Sequence, residues 1–239
     1  MKKQSQIAMS LKEGMVSALP LIFGFFPVAM AFGLMSKTVG VSFIESCLFS
    51  IMVFAGASQF MALDLIKAGV ATGSIILATF LLNLRHLMMS ASLSVRLKEI
   101  KKHWLVFVAF GVTDETFSVT SLSNKKLNVP FFITLHTAPY CSWVLGTVAG
   151  YLLGNVLPAA VRDSLGIGLY AMFMALLVPE IKKSVSVLFL SVFSGILYSV
   201  ISSFGILPSS WSLVATIILA AGIGVFFIKD EVEAREVEA

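Results

Sequence analysis

The chain has 239 residues, of which 58% are hydrophobic and 13% charged, and its mean hydropathy is +0.95. That charged share is about half the soluble norm of roughly 25%, and a soluble domain of this size has too little interior to hide so much apolar side chain. The net charge of +4 comes mostly from lysines in short connectors, a pattern that bears on membrane orientation and lipid contact and not on nucleic acid.

Residues 1–14, MKKQSQIAMSLKEG, are basic and weakly amphipathic and read as a cytoplasmic N-terminal segment. The apolar run that follows is long and holds two prolines, so it reads as a first span and not as a cleaved signal peptide. Eight apolar segments follow one another: 15–36, 43–66, 71–95, 104–122, 130–153, 164–179, 184–203 and 211–228. Runs of about 20 apolar residues are membrane spans. The expectation is an all-α, polytopic membrane bundle of seven to eight segments with Pro/Gly-broken helices. Its transmembrane domain covers 15–228, and a charged tail covers 229–239.

The first segment carries Pro20, Gly24, Pro27 and Gly33, and a break is expected there because proline removes a donor and clashes with the preceding turn. The second carries Gly56, Ser58 and Gln59 in VFAGASQF, and then Asp64. Small residues suit an unwound turn or close helix approach, and Gln59 places an amide inside the span. Discontinuous helices of this kind form substrate sites in many secondary transporters.

The third segment reads FLLNLRHLMMSAS and holds Asn83, Arg85 and His86. A central arginine costs on the order of 2.5–3.5 kcal/mol on insertion scales, so it faces an interior or an aqueous cavity and has a partner. At about 100° per residue, Asn83 and His86 lie within about 60° of each other, and Arg85 about 160° from Asn83. Either the helix breaks here or the two sets serve different neighbours. The fourth segment, FGVTDETFSVTS, supplies that partner: Asp114 and Glu115 lie side by side, flanked by Thr113 and Thr116. Adjacent carboxylates in low dielectric repel each other, and one poised there can load and unload a proton. Asp114, Ser118 and Ser121 share one face, with Thr113, Thr116 and Thr120 beside it.

In the fifth segment Pro139 marks another expected break, and His136 is expected to make a satisfied interior hydrogen bond. Gly146, Gly150 and Gly154 form a GxxxGxxxG ridge for packing a helix. The sixth segment ends at Pro179. Cys47 and Cys141 read as buried apolar fillers, and no metal, disulfide or cofactor pattern appears. No GxxxxGK[ST] is present, so the chain itself is not expected to hydrolyse a nucleotide. No internal repeat is evident.

If all eight segments cross with the N-terminus inside, ten cations lie inside and six outside. The cluster RLKEIKKH (Arg96–His103) then falls on the wrong side, and a re-entrant or broken segment would move it.

Four passages carry a resemblance: GMVSALPLIFGFFPVAMAFG (Gly14–Gly33), VFAGASQFMAL (Val53–Leu63), LLNLRHLMMSASL (Leu81–Leu93) and FGVTDETFSV (Phe110–Val119). In order and spacing the chain resembles the AzlC family of branched-chain amino acid permeases. The resemblance implies an exporter of valine, leucine or isoleucine, with methionine as a further candidate, in the bacterial cytoplasmic membrane. It also implies a small AzlD-type membrane subunit as partner. The expected mechanism is alternating access with proton antiport. The pathway would be lined by Pro20, Gly24, Pro27, Gly56, Ser58, Gln59, Asn83, Arg85, His86, Thr113, Asp114 and Glu115. Rival readings are a passive channel or scaffold and, from the GxS at Gly56–Ser58 with a histidine base, an intramembrane serine hydrolase.

Overall fold

The computed structural model describes residues 2–123, 127–154, 184–204 and 215–224, with isolated positions between 156 and 182 and at 212. Most of segment 164–179, Pro179 and the tail 229–239 lie outside the described residues. Among the described residues every regular element is helical, as expected for a membrane bundle. The helices are α1 (Lys2–Val39), α2 (Phe43–Met52), α3 (Gly56–Lys67), α4 (Thr72–Ser94), α5 (Lys102–Phe110), α6 (Asp114–Leu122), α7 (Val129–Leu153), α8 (Val185–Ser203) and α9 (Ala215–Gly224). The stretch Met9–Val39 of α1, all of α4 and all of α8 are long and apolar enough to cross a bilayer.

The chain forms two compact units, one of residues 1–64 and 83–169, the other of residues 65–82 and 170–239. In the second unit, Ser191, Ser194 and Ser199 of α8 turn their hydroxyls back onto carbonyls four residues earlier. That satisfies the hydroxyls within their own helix, as lipid requires. The Leu190 side chain packs over Gly224 of α9.

The first unit is built on α1 and α7, which run parallel. Asn128 Nδ2 donates to Ser10 Oγ at 2.8 Å, and Thr134 Oγ1 to the Leu11 carbonyl at 3.0 Å. Farther along, Ser142 Oγ donates to Ile22 O at 2.9 Å, and Lys37 Nζ reaches Tyr151 O at 3.1 Å. The glycine ridge packs here. A Cβ on Gly146 or Gly150 would strike the backbone of Phe26 or Met30, and one on Gly154 the Leu34 side chain.

Two expected breaks do not occur. Helix α1 runs through Pro20 and Pro27, and α7 through Pro139, without interruption. Pro20, Gly24 and Pro27 lie on the exposed face of α1, where a ring meets no packed neighbour. Ser142 takes the Ile22 carbonyl, one residue before the Phe23 carbonyl that Pro27 leaves without its helical donor.

The break expected in segment two does occur, ahead of Gly56, segment four breaks as well, and each folds back on itself. Helix α2 descends along α7 from Val41, whose carbonyl accepts from Tyr151 Oη, to Ser50, bonded to Thr147. The turn at 53–55 brings Phe54 against Phe25 and Tyr140. Helix α3 then climbs back, with Gly56 against Trp143 and Phe60 against Phe32 at 5.6 Å. Phe32 also touches Phe49 of α2, and a straight continuation would carry Phe49 and Phe60 far apart. The same geometry is inverted in α5–α6. Helix α5 rises along α7, with Phe107 against His136 and Phe110 against Tyr140. After the turn at 111–113, α6 returns to Arg96, which follows α4 and donates to the carbonyls of Thr120, Ser121 and Ser123. One guanidinium thus caps the C-terminus of α6.

The hairpins enter the unit from opposite ends, and their tips meet at Tyr140, near the middle of α7. Its ring lies 5.4 Å from that of Phe54 and 5.6 Å from that of Phe110. Because α2–α3 folds back ahead of α4 instead of continuing straight, the cluster Arg96–His103 lies at the same end as Ser10 and Asn128. Lys37 lies at the other end. The cationic loop that a straight eight-span chain left on the wrong side therefore joins the N-terminal lysines, as the positive-inside rule asks.

Candidate functional site

The tip of the second hairpin carries the acids because a helix starts there. Thr113 is the N-cap of α6 and forms a capping box with Thr116. Asp114 and Glu115 occupy the first turn, where the helix dipole favours negative charge. Thr116 Oγ1 donates to Gly111 O and Thr120 Oγ1 to Thr116 O. The buried threonine face is thus satisfied by its own backbone and holds the turn closed. Ser118 and Ser121, expected to share the Asp114 face, are exposed.

Helix α4 is continuous, so Asn83, His86 and Arg85 do serve different directions. Arg85 Nη1 lies 2.7 Å from Asp114 Oδ2. This ion pair ties α4 to the tip of α5–α6, with side chains 32% and 28% exposed. A partly open ion pair inside an apolar bundle needs a polar cavity on its open side, since lipid would not solvate it. Asn83 Oδ1, Arg85 Nε and His86 Nε2 are buried with no hydrogen-bond partner. Glu115, half-buried, has the Thr113 side chain as its partner.

Gly56, Ser58 and Gln59 sit at the tip of the first hairpin. Gly56 is there because Trp143 leaves no room for a Cβ. Ser58 Oγ donates to Ala55 O at 2.9 Å, so its hydroxyl is engaged by the start of its own helix. Gln59 Oε1 accepts from Trp143 Nε1 at 2.9 Å. The structure therefore brings Arg85 to Asp114 and puts Gly56, Ser58 and Gln59 at the opposing tip. Pro20, Gly24 and Pro27 stand apart on the outer face of α1.

Two expectations are corrected. His136, expected to be satisfied, is 2% exposed and lies against the Phe107 backbone without completing a hydrogen bond of good geometry. Gly111 packs directly on its ring, and that close fit of the hairpin tip leaves no space for a better partner. Cys141 is exposed and Cys47 only partly buried. On a bilayer-facing surface a thiol needs no protein interior, because lipid is equally apolar. Tyr140 and Trp143 were not singled out from the sequence. Their signal was an aromatic ring with a polar handle inside an apolar segment.

Fold and site together define a helical membrane protein in which the tips of two helical hairpins meet at Tyr140, one of them carrying the Arg85–Asp114 ion pair. The AzlC family model, described as AzlC protein, matches residues 20–157. The chain belongs to the AzlC family. It is 36% identical over 173 residues to an uncharacterized membrane protein of Archaeoglobus fulgidus, covering 72% of this chain and 76% of that one. It is 33% identical over 182 residues to the inner membrane protein YgaZ of Escherichia coli, covering 73% and 74%. It is 29% identical over 160 residues to the branched-chain amino acid transport protein AzlC of Bacillus subtilis, covering 65% and 62%. No solved structure matches.

Proposed function

We propose that the protein is a secondary active exporter of branched-chain amino acids in the bacterial cytoplasmic membrane. It acts as the large subunit with a small AzlD-type membrane partner and is driven by proton antiport. The observation that carries this reading is the Arg85–Asp114 ion pair at the tip of a re-entrant hairpin. An ion pair that ties the tip of a helical hairpin to a neighbouring helix suits a transporter, whose elements must release and re-form, better than a channel lining. Protonation of Asp114 cancels the attraction that holds α5–α6 to α4. The hairpin is then free to move, and alternating access follows if each hairpin gates the end from which it enters. The substrate class rests on the name of the Bacillus subtilis relative and on the apolar, aromatic surroundings of the tips, which suit an aliphatic side chain.

The test loads bacteria with a branched-chain dipeptide and follows release of valine, leucine and isoleucine. Cells carry this chain alone, this chain with its small partner, or neither. Uphill release is expected only with the pair. With Asp114→Asn, release under an imposed pH gradient is expected to stop while downhill exchange persists. Undiminished gradient-driven export in that variant removes the proton role of Asp114, and equal release from all three strains removes the substrate assignment.

A further inference from the structure

The start of α3 differs in one respect from that of α6. Thr113 caps α6 with its own hydroxyl, whereas the residue before Gly56 is Ala55, which has no side-chain oxygen. The first helical bond of α3 is Gln59 N to Ala55 O at 3.1 Å. The N–H groups of Gly56, Ala57 and Ser58 precede it and point out of the helix start. Ser58 and the flanking Phe54 and Ala55 are buried, at 1%, 5% and 6% exposed, while Gly56 and Ala57 are half-buried.

Gln59 adds a side-chain donor. It is 1% exposed, and its Nε2 has no hydrogen-bond partner. The amide orientation is set by Trp143, because an indole N–H only donates and therefore faces the oxygen. What remains free is the NH2 end. Side chains in a first turn lean toward the helix N-terminus, and the same Trp143 ring that bonds Gln59 lies against Gly56. The Gln59 amide and Gly56 thus lie against the same indole, at the start of α3. Phe25 closes the site edge-on against both Phe54 and Trp143, with centroids 5.8 and 5.7 Å away.

Donors without acceptors at the positive end of a helix dipole call for an anion. We propose that the α3 N-terminus, with Gln59 Nε2, is the subsite for the carboxylate of the transported solute, and that the Phe25–Phe54–Trp143 aromatic cluster receives its apolar side chain. Arg85 is engaged by Asp114 and is not the carboxylate ligand. This assignment rests on the exporter reading for the identity of the solute, but the carboxylate preference does not.

The experiment uses the full chain in lipid nanodiscs with Trp104→Phe and Trp211→Phe, so that Trp143 is the sole tryptophan, excited at a wavelength tyrosine does not absorb. Probes are leucine, 4-methylvalerate, which lacks the amine, and leucinol, which lacks the carboxylate. Acetate, lactate and succinate serve as unrelated carboxylates. Radiolabelled leucine binding is measured in parallel. Leucine and 4-methylvalerate are expected to shift Trp143 emission, and leucinol to bind about 10- to 100-fold more weakly, the ratio for losing hydrogen bonds to a charged group. Gln59→Met is expected to erase most of that ratio. Ala55→Asp is the complementary variant: its carboxylate caps α3 from within, so the protein folds at least as stably but no longer responds to any carboxylate.

If leucine binds with no preference over leucinol, or if Gln59→Met and Ala55→Asp both keep the wild-type ratio, the subsite is wrong and the substrate reading stands. If acetate, lactate or succinate shifts Trp143 while leucine does not, the subsite stands and the substrate reading fails. Silence toward every carboxylate overturns both.

Discussion

Removing Arg85 tests whether the ion pair is an energetic link or a coincidence of two polar groups. With side chains about a third exposed, the pair lies between two measured classes. Exposed pairs contribute about 0–1 kcal/mol, and breaking a buried one costs about 3–5 kcal/mol. Discounted for screening at that partial exposure, Arg85→Met is expected to cost about 1–2 kcal/mol. Asp114→Asn should cost slightly more, because it also removes a charge from the start of α6, a loss of about 0.3–1 kcal/mol. The double variant leaves neither charge stranded and should be more stable than the sum of the singles by about 1 kcal/mol. The assay is thermal inactivation in detergent, read as the monodisperse fraction on size exclusion, with single-variant midpoints lowered by roughly 2–8 °C. Strictly additive single effects would refute direct coupling between the two side chains.

Four further outcomes follow from the geometry. Gly150→Leu should abolish folding or lower the midpoint severely, since any side chain there strikes the Met30 backbone and overpacking costs about 1–3 kcal/mol or more. Gly24→Ala, which meets open space, should be neutral or raise stability by up to about 1 kcal/mol through helix propensity; a loss there contradicts the placement of that face. Arg96→Ala uncaps α6, and hydrogen exchange across residues 114–122 should accelerate about tenfold, consistent with losing charged hydrogen bonds at an exposed site; unchanged exchange means the guanidinium is not what holds the helix end. On a cysteine-free background, Lys98→Cys should react with an impermeant maleimide only after cells are opened, and Lys37→Cys in intact cells. Labelling of both from the same side would show that the second apolar segment crosses the membrane and does not fold back as α2–α3.

Much was legible in the residues alone. Hydropathy placed the chain in lipid, because no soluble surface could cover its apolar content. Arg85 and Asp114 were legible as partners because each charge is too costly in an apolar segment to stand alone. The glycine ridge was legible because a four-residue repeat of missing side chains is useful only against another helix. What composition could not convey is direction. A hydropathy window sums about 20 residues, and two short apolar halves folded into a hairpin score the same as one straight span. Proline marked possible breaks in α1 and α7, but Pro20 and Pro27 lie on an outward face and the buried Pro139 is accommodated within a continuous α7, whereas 53–55 and 111–113 turn because Tyr140, Trp143 and His136 meet them from a helix distant in sequence. Local chemistry set which residues are polar and which are small. Contacts with a helix tens of residues away set where the helices stop, which way they return, and therefore which polar groups meet.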